Sequence, residues 1–355
     1  MSLENNHVVI MAGGVGSRFW PMSTVKRPKQ FIDVLGVGRS LLQLTFDRFK
    51  TICPAENVWV VTNKDYAQLC HEQLPEVPKT NILCEPCRRN TAPCIAYVSW
   101  RIKKTDSNAN IVVTPSDHIV VDTDEFRRVV NQCLAFTNHT DAIVTLGMKP
   151  TRPETGYGYI QADLQYSSPS NKEIFRVDNF REKPDFETAQ QYIKDKRYFW
   201  NAGIFIWNVN TIVNAFRIYQ PQISTIFDRM SSDFATPREQ DVVDEHYGEC
   251  DSISVDYAIM EKAEEIFVCP SDFGWSDLGT WGSLLSQTKR DMYGNSLIGN
   301  NISVYDTRNC IIHATEEKKV VVQGLDGYIV AEKGDTLLIC KLMEEQRIKQ
   351  FSESE

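Results

Sequence analysis

Residues 7–31 read His-Val-Val-Ile-Met-Ala-Gly-Gly-Val-Gly-Ser-Arg-Phe-Trp-Pro-Met-Ser-Thr-Val-Lys-Arg-Pro-Lys-Gln-Phe. The apolar run Val8 to Met11 has the texture of a strand buried on both faces, as in a parallel sheet. It breaks into Gly13, Gly14 and Gly16, where the backbone can turn sharply and bring its N–H groups close to a ligand without a Cβ in the way. Successive N–H groups in such a turn make an anion-binding concavity. Arg18, Arg27 and Lys29 follow within a short span, so glycines and cations together suit a polyphosphate. The alternative is an ordinary glycine turn beside a surface basic cluster. A dinucleotide fingerprint needs a third glycine three places after the second, and here that place holds Phe19. A P-loop needs Gly-Lys-Ser/Thr, and that tripeptide does not occur.

With 355 residues the chain can bury a large core and is expected to make one large domain and a smaller one, divided here as 1–289 and 290–355. A hydrophobic share of 42%, a charged share of 24% and a net charge of −9 fit a globular protein and argue against broad nucleic-acid or membrane binding. An acidic chain that binds an anion must gather its cations locally, as the opening stretch does. Residues 1–6 are polar and the apolar run after them is too short for a secretory signal. The expected compartment is therefore the cytoplasm, with the ten cysteines as reduced thiols. Cys84-Glu85-Pro86-Cys87 is formally a Cys-x-x-Cys, but it lacks the second pair or the thioredoxin-like context that metal or redox use would call for.

Strand and helix patterns alternate over the first 150 residues. Strands are expected at Asn57–Thr62, Asn81–Cys84, Ile111–Thr114 and Ala142–Met148. The clearest helix is Asp122–Thr137, with Phe126, Val129, Val130, Cys133 and Leu134 on one face and Asp122 placed as its cap. Such alternation implies an α/β fold: a mostly parallel, Rossmann-like sheet with helices on both faces. Ligands in these sheets sit outside the carboxyl ends of the strands, and the polar motifs fall there. After Cys84 comes Glu85-Pro86-Cys87-Arg88-Arg89-Asn90-Thr91-Ala92-Pro93, which opens a helix carrying Ile95, Val98 and Ile102. After Thr114 comes Pro115-Ser116-Asp117-His118. A carboxylate at a strand end near a phosphate loop is a natural Mg²⁺ ligand; a turn or cap role is the bland alternative for Asp117.

Beyond residue 150 the texture changes. Thr151 to Ile160 is rich in glycine and tyrosine and reads as a loop entering a strand, suited to a sugar. Strands are expected at Ile174–Phe180 and Trp200–Trp207 and a helix at Phe186–Lys196. Residues 210–263 read as mainly helical, with a helix starting near Ser254 to Asp256. Asp277, in Trp275-Ser276-Asp277-Leu278-Gly279-Thr280-Trp281, is a candidate second metal carboxylate beside Asp117; its alternative is to cap the helix that follows. After Arg290, short apolar runs at 300–305, 310–314, 320–323, 327–330 and 336–340 suggest a small β module. A closing helix is expected at 343–351, with frayed last residues.

Taken in order, Gly-Gly-x-Gly-x-Arg, Arg-Pro-Lys-Gln-Phe, Glu-Pro-x-x-Arg-Asn-Thr-Ala-Pro, Pro-Ser-Asp-His, Pro-Glu-Thr-Gly-Tyr-Gly-Tyr-Ile, Glu-Lys-Pro, Trp-Asn-Ala-Gly and Trp-Ser-Asp-Leu-Gly-Thr-Trp resemble the sugar-phosphate nucleotidylyltransferases over nearly the whole chain. Within that family the resemblance is to the guanylyltransferases of mannose 1-phosphate. It implies a C-terminal module that is a short left-handed β-helix, a homodimer, and transfer of GMP from GTP to mannose 1-phosphate. It also implies that Ala12, Gly13, Gly14, Gly16, Ser17, Arg18, Lys29, Glu85, Asn90, Thr91, Ser116 and Asp117 bind the nucleotide. Gly156, Tyr157, Gly158, Glu182, Lys183, Asn201 and Asp256 would bind the sugar phosphate, and Asp117 and Asp277 would hold Mg²⁺. Arg18, Lys29, Asp117, Lys183 and Asp277 would be the catalytic set. Glu85 is the candidate reader of guanine, because a carboxylate matches the base's N1–H and amino donors. Two rivals remain: the same chemistry on another base or sugar, and a non-catalytic nucleotide-sugar sensor.

Overall fold

The computed structural model describes residues 5–168, 171–315 and 317–352, and the backbone alone of Ser17. The expectation for the last residues, 353–355, falls outside these. The described residues form two compact units: one of residues up to Gly13 with Phe46–Pro115 and Val120–Trp275, the other of Gly14–Thr45, Ser116–Ile119 and the chain from Ser276 onward.

The first unit is built on a nine-stranded sheet. Its strands are β1 (Asn6–Met11), β2 (Val58–Asn63), β3 (Ile82–Glu85), β4 (Asn110–Pro115), β5 (Ile143–Met148), β6 (Tyr159–Ser168), β7 (Asn171–Arg181), β8 (Tyr198–Asn208) and β9 (Ile266–Ser271). They are ordered β3-β2-β1-β4-β8-β5-β9-β7-β6. Strands β1 to β4 pair in parallel, β9 is parallel to β5, and β8 runs antiparallel to both β4 and β5. The mostly parallel α/β sheet is as expected.

Strand β1 is apolar throughout its middle because both of its faces are covered: Val8, Val9 and Ile10 are fully buried. On one face Val9, Val61, Ile111 and Val113 pack with the helices Thr91–Thr105 and Val209–Tyr219. Helix Thr123–Thr137 packs against β4, β5 and β8 and contributes Phe126, Val129, Val130 and Cys133 to the interior. Each such side chain, buried in full, stabilises the fold by roughly 1.5–3 kcal/mol. The cap is as expected, since the Asp122 carboxylate accepts the Glu125 N–H at 2.9 Å.

The glycine–tyrosine stretch leads into a strand, β6, as expected, whereas β9 (Ile-Phe-Val-Cys-Pro-Ser) is a strand the sequence reading did not include, because Pro270 counts against one. The helix expected near Ser254 is a single π-turn, Asp256–Met260.

In the second unit, β10 (Ser296–Ile298), β12 (Ile311–His313) and β14 (Tyr328–Lys333) stack in parallel, as do β11 (Ile302–Tyr305) and β13 (Val320–Gln323). Strand β15 (Thr336–Lys341) closes the first stack antiparallel to β14. Parallel stacking of successive short strands is that of a β-helix-like coil. A core of Phe19, Met22, Trp281, Leu284, Ile311 and Ile348 holds the glycine-loop segment, helix Trp281–Gln287 and the coil together. The closing segment is a 3₁₀ stretch, Leu342–Arg347, followed by a short α-helix, Ile348–Ser352.

Candidate active site

In the second unit, Gly16, Arg18, Phe19, Lys29, Asp117, His118, Asp277, Leu278 and Gly279 line one cleft of about 330 Å³. Gly16 must be glycine: its φ is +54°, and a Cβ there would stand 2.6 Å from the Cβ of Lys29. The loop is stitched from within, because Gln30 donates to the Gly14 carbonyl at 2.8 Å and Ser23 Oγ to the Gly16 carbonyl at 2.6 Å. Arg18 is exposed, with no protein partner among the described residues. The side chain of Ser17 lies outside the described set.

Lys29 is 5% exposed and all three of its ammonium protons are engaged. It pairs with Asp117 Oδ2 at 2.9 Å and donates to the carbonyls of Asp277 and Leu278 at 3.0 Å each. This one side chain thus ties the glycine-loop segment to both aspartate-bearing segments. Burial by itself would push the Asp117 carboxyl up. The charges of Lys29 and His118, with hydrogen bonds from Lys29 and the backbone, outweigh it and hold the group below the usual carboxylate range. The Asp277 carboxylate accepts the Gly279 N–H at 3.1 Å, and the helix after it is capped by Thr280, not by Asp277. Ser116 is buried and its carbonyl accepts from Thr45 Oγ1 at 3.2 Å.

The chemistry of this donor set fits a hard divalent cation. Two carboxylates, Asp117 and Asp277, face one cleft, and no group of three or more metal-ligating side chains occurs among the described residues. Mg²⁺ is held in this way when substrate phosphates supply further oxygens.

The first unit holds the remaining candidates in two clusters. Glu85 closes β3 and is 7% exposed. Its Oε1 accepts a short hydrogen bond from the Tyr247 phenol, and its Oε2 stands 3.1 Å from where a Cβ on Gly13 would be. Burial raises its pKa to about 7, against the pull of the Tyr247 hydrogen bond and the Arg88 charge. Ala12 is anchored at the start of the turn: its N–H donates to the Val61 carbonyl at 2.8 Å and its carbonyl accepts from Thr62 Oγ1 at 3.0 Å. Asn90, at φ +66°, caps the helix by accepting the Thr91 N–H at 2.9 Å.

The second cluster gathers Gly158, Glu182, Lys183, Asn201 and Asp256. A Cβ on Gly158 would stand 2.4 Å from Glu182 Oε2, so glycine is what admits the carboxylate. The Gly158 carbonyl accepts the Asn201 N–H at 2.9 Å. The pairing of β5 with β8 shifts register between Thr145 and Gly147, and this bulge aims Asn201 inward. Asn201 Oδ1 accepts from Thr145 Oγ1 at 3.1 Å and from the Gly203 N–H at 3.0 Å, and its amide donates to Asp256 at 2.9 Å.

Burial raises the Asp256 carboxyl to about 6, with the Glu182 charge adding to it. Lys183 pairs with Glu182 and sits at φ +47°, an uncommon backbone state for a side-chain-bearing residue. Burial pulls the Lys183 ammonium down, but the carboxylates of Glu182 and Asp256 hold it above its ordinary value. The Tyr157 carbonyl accepts the Lys183 N–H at 3.2 Å, and the Tyr157 ring meets Trp200 and Trp275 edge-on at 5.3 and 5.4 Å. The Gly156 N–H donates to Glu154 Oε1 at 3.2 Å.

A family model described as nucleotidyl transferase matches residues 7–293. The chain belongs to the nucleotidyl transferase family. A second model, described as the MannoseP isomerase/GMP-like beta-helix domain, matches residues 299–353. The transferase is 35% identical to a mannose-1-phosphate guanylyltransferase of Salmonella montevideo, over 97% of this chain and 73% of that protein. It is 34% identical to that of Escherichia coli K12, over 99% of this chain and 74% of that one. Among solved structures, one described as a mannose-1-phosphate geranyltransferase from Thermus thermophilus is 29% identical, covers 98% of both chains and superposes with a TM-score of 0.87.

Sequence reasoning missed three side chains that organise the transferase's clusters: Tyr247, Thr145 and Gln30. Thr145 and Tyr247 lie outside the motifs quoted above, and only the folded chain shows what they touch. Gln30 was in plain view within Arg-Pro-Lys-Gln-Phe, but its bond to the Gly14 carbonyl depends on the path of the loop.

Proposed function

We propose that this transferase moves GMP from GTP to mannose 1-phosphate, giving GDP-mannose and pyrophosphate. The observation that carries the chemistry is the cleft in which Gly16, Arg18, Lys29, Asp117 and Asp277 converge. The names of relatives about a third identical over nearly the full chain supply the substrates.

A phosphate oxygen of the sugar attacks the α-phosphorus of GTP in line, and pyrophosphate leaves. The sugar phosphate is already anionic near neutral pH, so no general base is needed. The barrier lies in bringing anions together and holding the line of attack. The backbone donors of Gly13, Gly14, Gly16 and Ser17, with Arg18, take the β- and γ-phosphates; Ala12 and Ser116 shape the turn ends beside them. Lys29 exchanges a protein acceptor for a phosphate oxygen near the α-phosphorus. Asp117 and Asp277 are the residues that would hold Mg²⁺, which supplies charge neutralisation on the phosphates when bound.

Glu85 accepts from guanine, and Asn90 and Thr91 shape the nucleotide side at the helix start. Lys183 holds the sugar phosphate. Glu182, Asp256, Asn201 and the backbone at Gly156 to Gly158 take the hydroxyls, against the ring of Tyr157. For function we divide the chain into a catalytic part, 1–289, and a β-helix part, 290–355. We take the assembly as a homodimer, to be checked by light scattering. No described helix is long and apolar enough to cross a membrane, all ten cysteines are free thiols, and we take the cytoplasm as the compartment.

The test is pyrophosphate release from a panel of nucleoside triphosphates and sugar 1-phosphates. GTP with mannose 1-phosphate should be turned over best. Equal turnover of UTP or dTTP would sink the guanine assignment, and no turnover of any pair would return the chain to a binding role.

A further inference from the structure

The stretch 247–253 carries no motif read from the sequence, yet with Val255 it brings four hydrogen bonds to the nucleotide-reading loop. The Tyr247 phenol donates to Glu85, and the Gly248 carbonyl accepts from the Arg89 guanidinium. The Ile253 carbonyl accepts the Ala92 N–H at 3.1 Å, and the Val255 N–H donates to Thr91 Oγ1 at 2.9 Å. The segment then ends at Asp256, the partner of Asn201. One stretch of backbone therefore fixes Glu85 through Ala92 on one side and a sugar-reading carboxylate on the other.

Tyr247 makes its tie from a fully buried side chain. Its ring is packed edge-on against Tyr97 at 6.4 Å and Phe227 at 6.2 Å, so the phenol cannot swing away. Its hydroxyl takes only one oxygen of Glu85. The other, Oε2, is directed over the Gly13 backbone at the carboxyl end of β1, and each carboxylate oxygen has two acceptor positions. A carboxylate pinned at one oxygen presents a fixed two-oxygen fork, which is the complement of the adjacent N1–H and 2-amino donors of guanine.

We propose that Tyr247 is a positioning residue for base recognition: its phenol locks the Glu85 carboxylate in the orientation that accepts both donors of a 2-aminopurine base. This rests on Glu85 being the guanine acceptor in the reaction proposed above. The charge state points the same way. The groups facing Glu85 are Tyr247, Arg88 and the thiols of Cys84 and Cys94. Of these, the Tyr247 hydrogen bond and the Arg88 charge favour the ionised form that burial opposes. Without the phenol the carboxyl protonates at higher pH, and a protonated carboxyl can no longer accept from both base donors.

The experiment compares the wild type with Tyr247→Phe, Glu85→Gln and the double variant, using GTP and ITP, whose base lacks the 2-amino group, at saturating mannose 1-phosphate between about pH 6 and 9. Tyr247→Phe should raise the KM for GTP about tenfold, in line with loss of a hydrogen bond to a charged group, with kcat within about twofold. The preference for GTP over ITP should shrink, and the pH below which the KM for GTP climbs should rise by about one unit. In the Glu85→Gln background Tyr247→Phe should add nothing. An unchanged GTP-to-ITP preference in Tyr247→Phe, equal losses for both substrates, or full additivity with Glu85→Gln overturns the assignment. Should Tyr247→Phe fail to fold, Glu85→Gln alone decides: an unaltered GTP-to-ITP preference removes the acceptor and Tyr247's role with it. A wild type that turns over no GTP overturns the reading of function itself, which is a different result from a GTP-active wild type whose selectivity ignores Tyr247.

Discussion

Asp117 stands two residues past the end of β4, and Glu85 is the last residue of β3. Both are carboxylates at the carboxyl ends of parallel strands, and the fold drives them in opposite directions. Asp117 meets the Lys29 ammonium at 2.9 Å and is held below the usual carboxylate range. Glu85 is raised to about 7 because its burial outweighs the Tyr247 phenol and the more distant Arg88 charge; Asp256, buried against Asn201 and the Glu182 carboxylate, is raised to about 6. The phosphate cleft thus keeps Asp117 ionised and paired, ready for cations and phosphates. The reading clusters keep their acids desolvated, where each hydrogen bond from a neutral base or hydroxyl counts for more. Position at a strand end does not set the role of an acid; the partner and the burial do.

The largest expected effect tests the cleft. Asp277→Asn keeps the volume and the turn that accepts the Gly279 N–H, but removes one of the two anionic groups for a divalent cation. Turnover should fall by about 10³-fold or more, as for loss of an electrostatic stabiliser in a reaction whose barrier is charge, with the thermal midpoint almost unmoved. Near-normal turnover at saturating Mg²⁺ would make the cleft acids structural and dissolve the contrast with Glu85.

Next in size, Lys29→Ala should cut turnover by about 10²–10³-fold and also destabilise the fold by about 3 kcal/mol, because it leaves the carboxylate of Asp117 without its cation. The sign can be read from pH. A carboxyl whose pKa is depressed contributes stability above its unfolded pKa and loses it as pH falls through the folded value. The wild type should therefore lose this contribution on acidification below about pH 4, and Lys29→Ala should show less of that loss in denaturant titrations. A change in stability with turnover intact would mark Lys29 as a brace alone.

Sugar-phosphate binding is the next test. Lys183→Ala should raise the KM for mannose 1-phosphate by about 10–100-fold, the scale of one charge-assisted phosphate contact, and leave the KM for GTP in place. An effect on GTP alone would move Lys183 to the nucleotide side.

What the sequence conveyed follows the same divide. Gly16, Arg18, Lys29 and the Asp117 strand end are close to one another in the chain or sit at predictable strand ends, so their chemistry was legible from residue type and spacing. The parallel sheet was legible because β1, β2 and β4 are unbroken apolar runs. The network around Asn201 was not. It depends on a β-bulge opposite Thr145 and on a π-turn at Asp256, and neither leaves a periodicity to read. The tie from Tyr247 to Glu85 spans 162 residues, and the raised pKa values come from burial, which only the assembled core defines. β9 escaped notice because Pro270 argues against a strand; the proline is tolerated because it lies next to the strand's end.

The smallest effect is the one that most directly separates the two kinds of acid. Glu85 ionised in its site is a cost to the fold, borne for recognition. Its folded pKa lies above the unfolded value, so its contribution to stability is fully present below the unfolded pKa, about 4.5, and is lost as pH rises through about 7. Glu85→Gln keeps an acceptor for the Tyr247 phenol and removes the charge. At pH 8 the variant should therefore be more stable than the wild type by roughly 3 kcal/mol, the free energy of a shift of this size, while its KM for GTP worsens. Below about pH 4 the two proteins should have almost equal stability. Denaturant midpoints measured at both pH values decide it. A variant no more stable than the wild type at pH 8 would mean that Glu85 is ionised at little cost, and the contrast with Asp117 would then be one of partner only, not of burial.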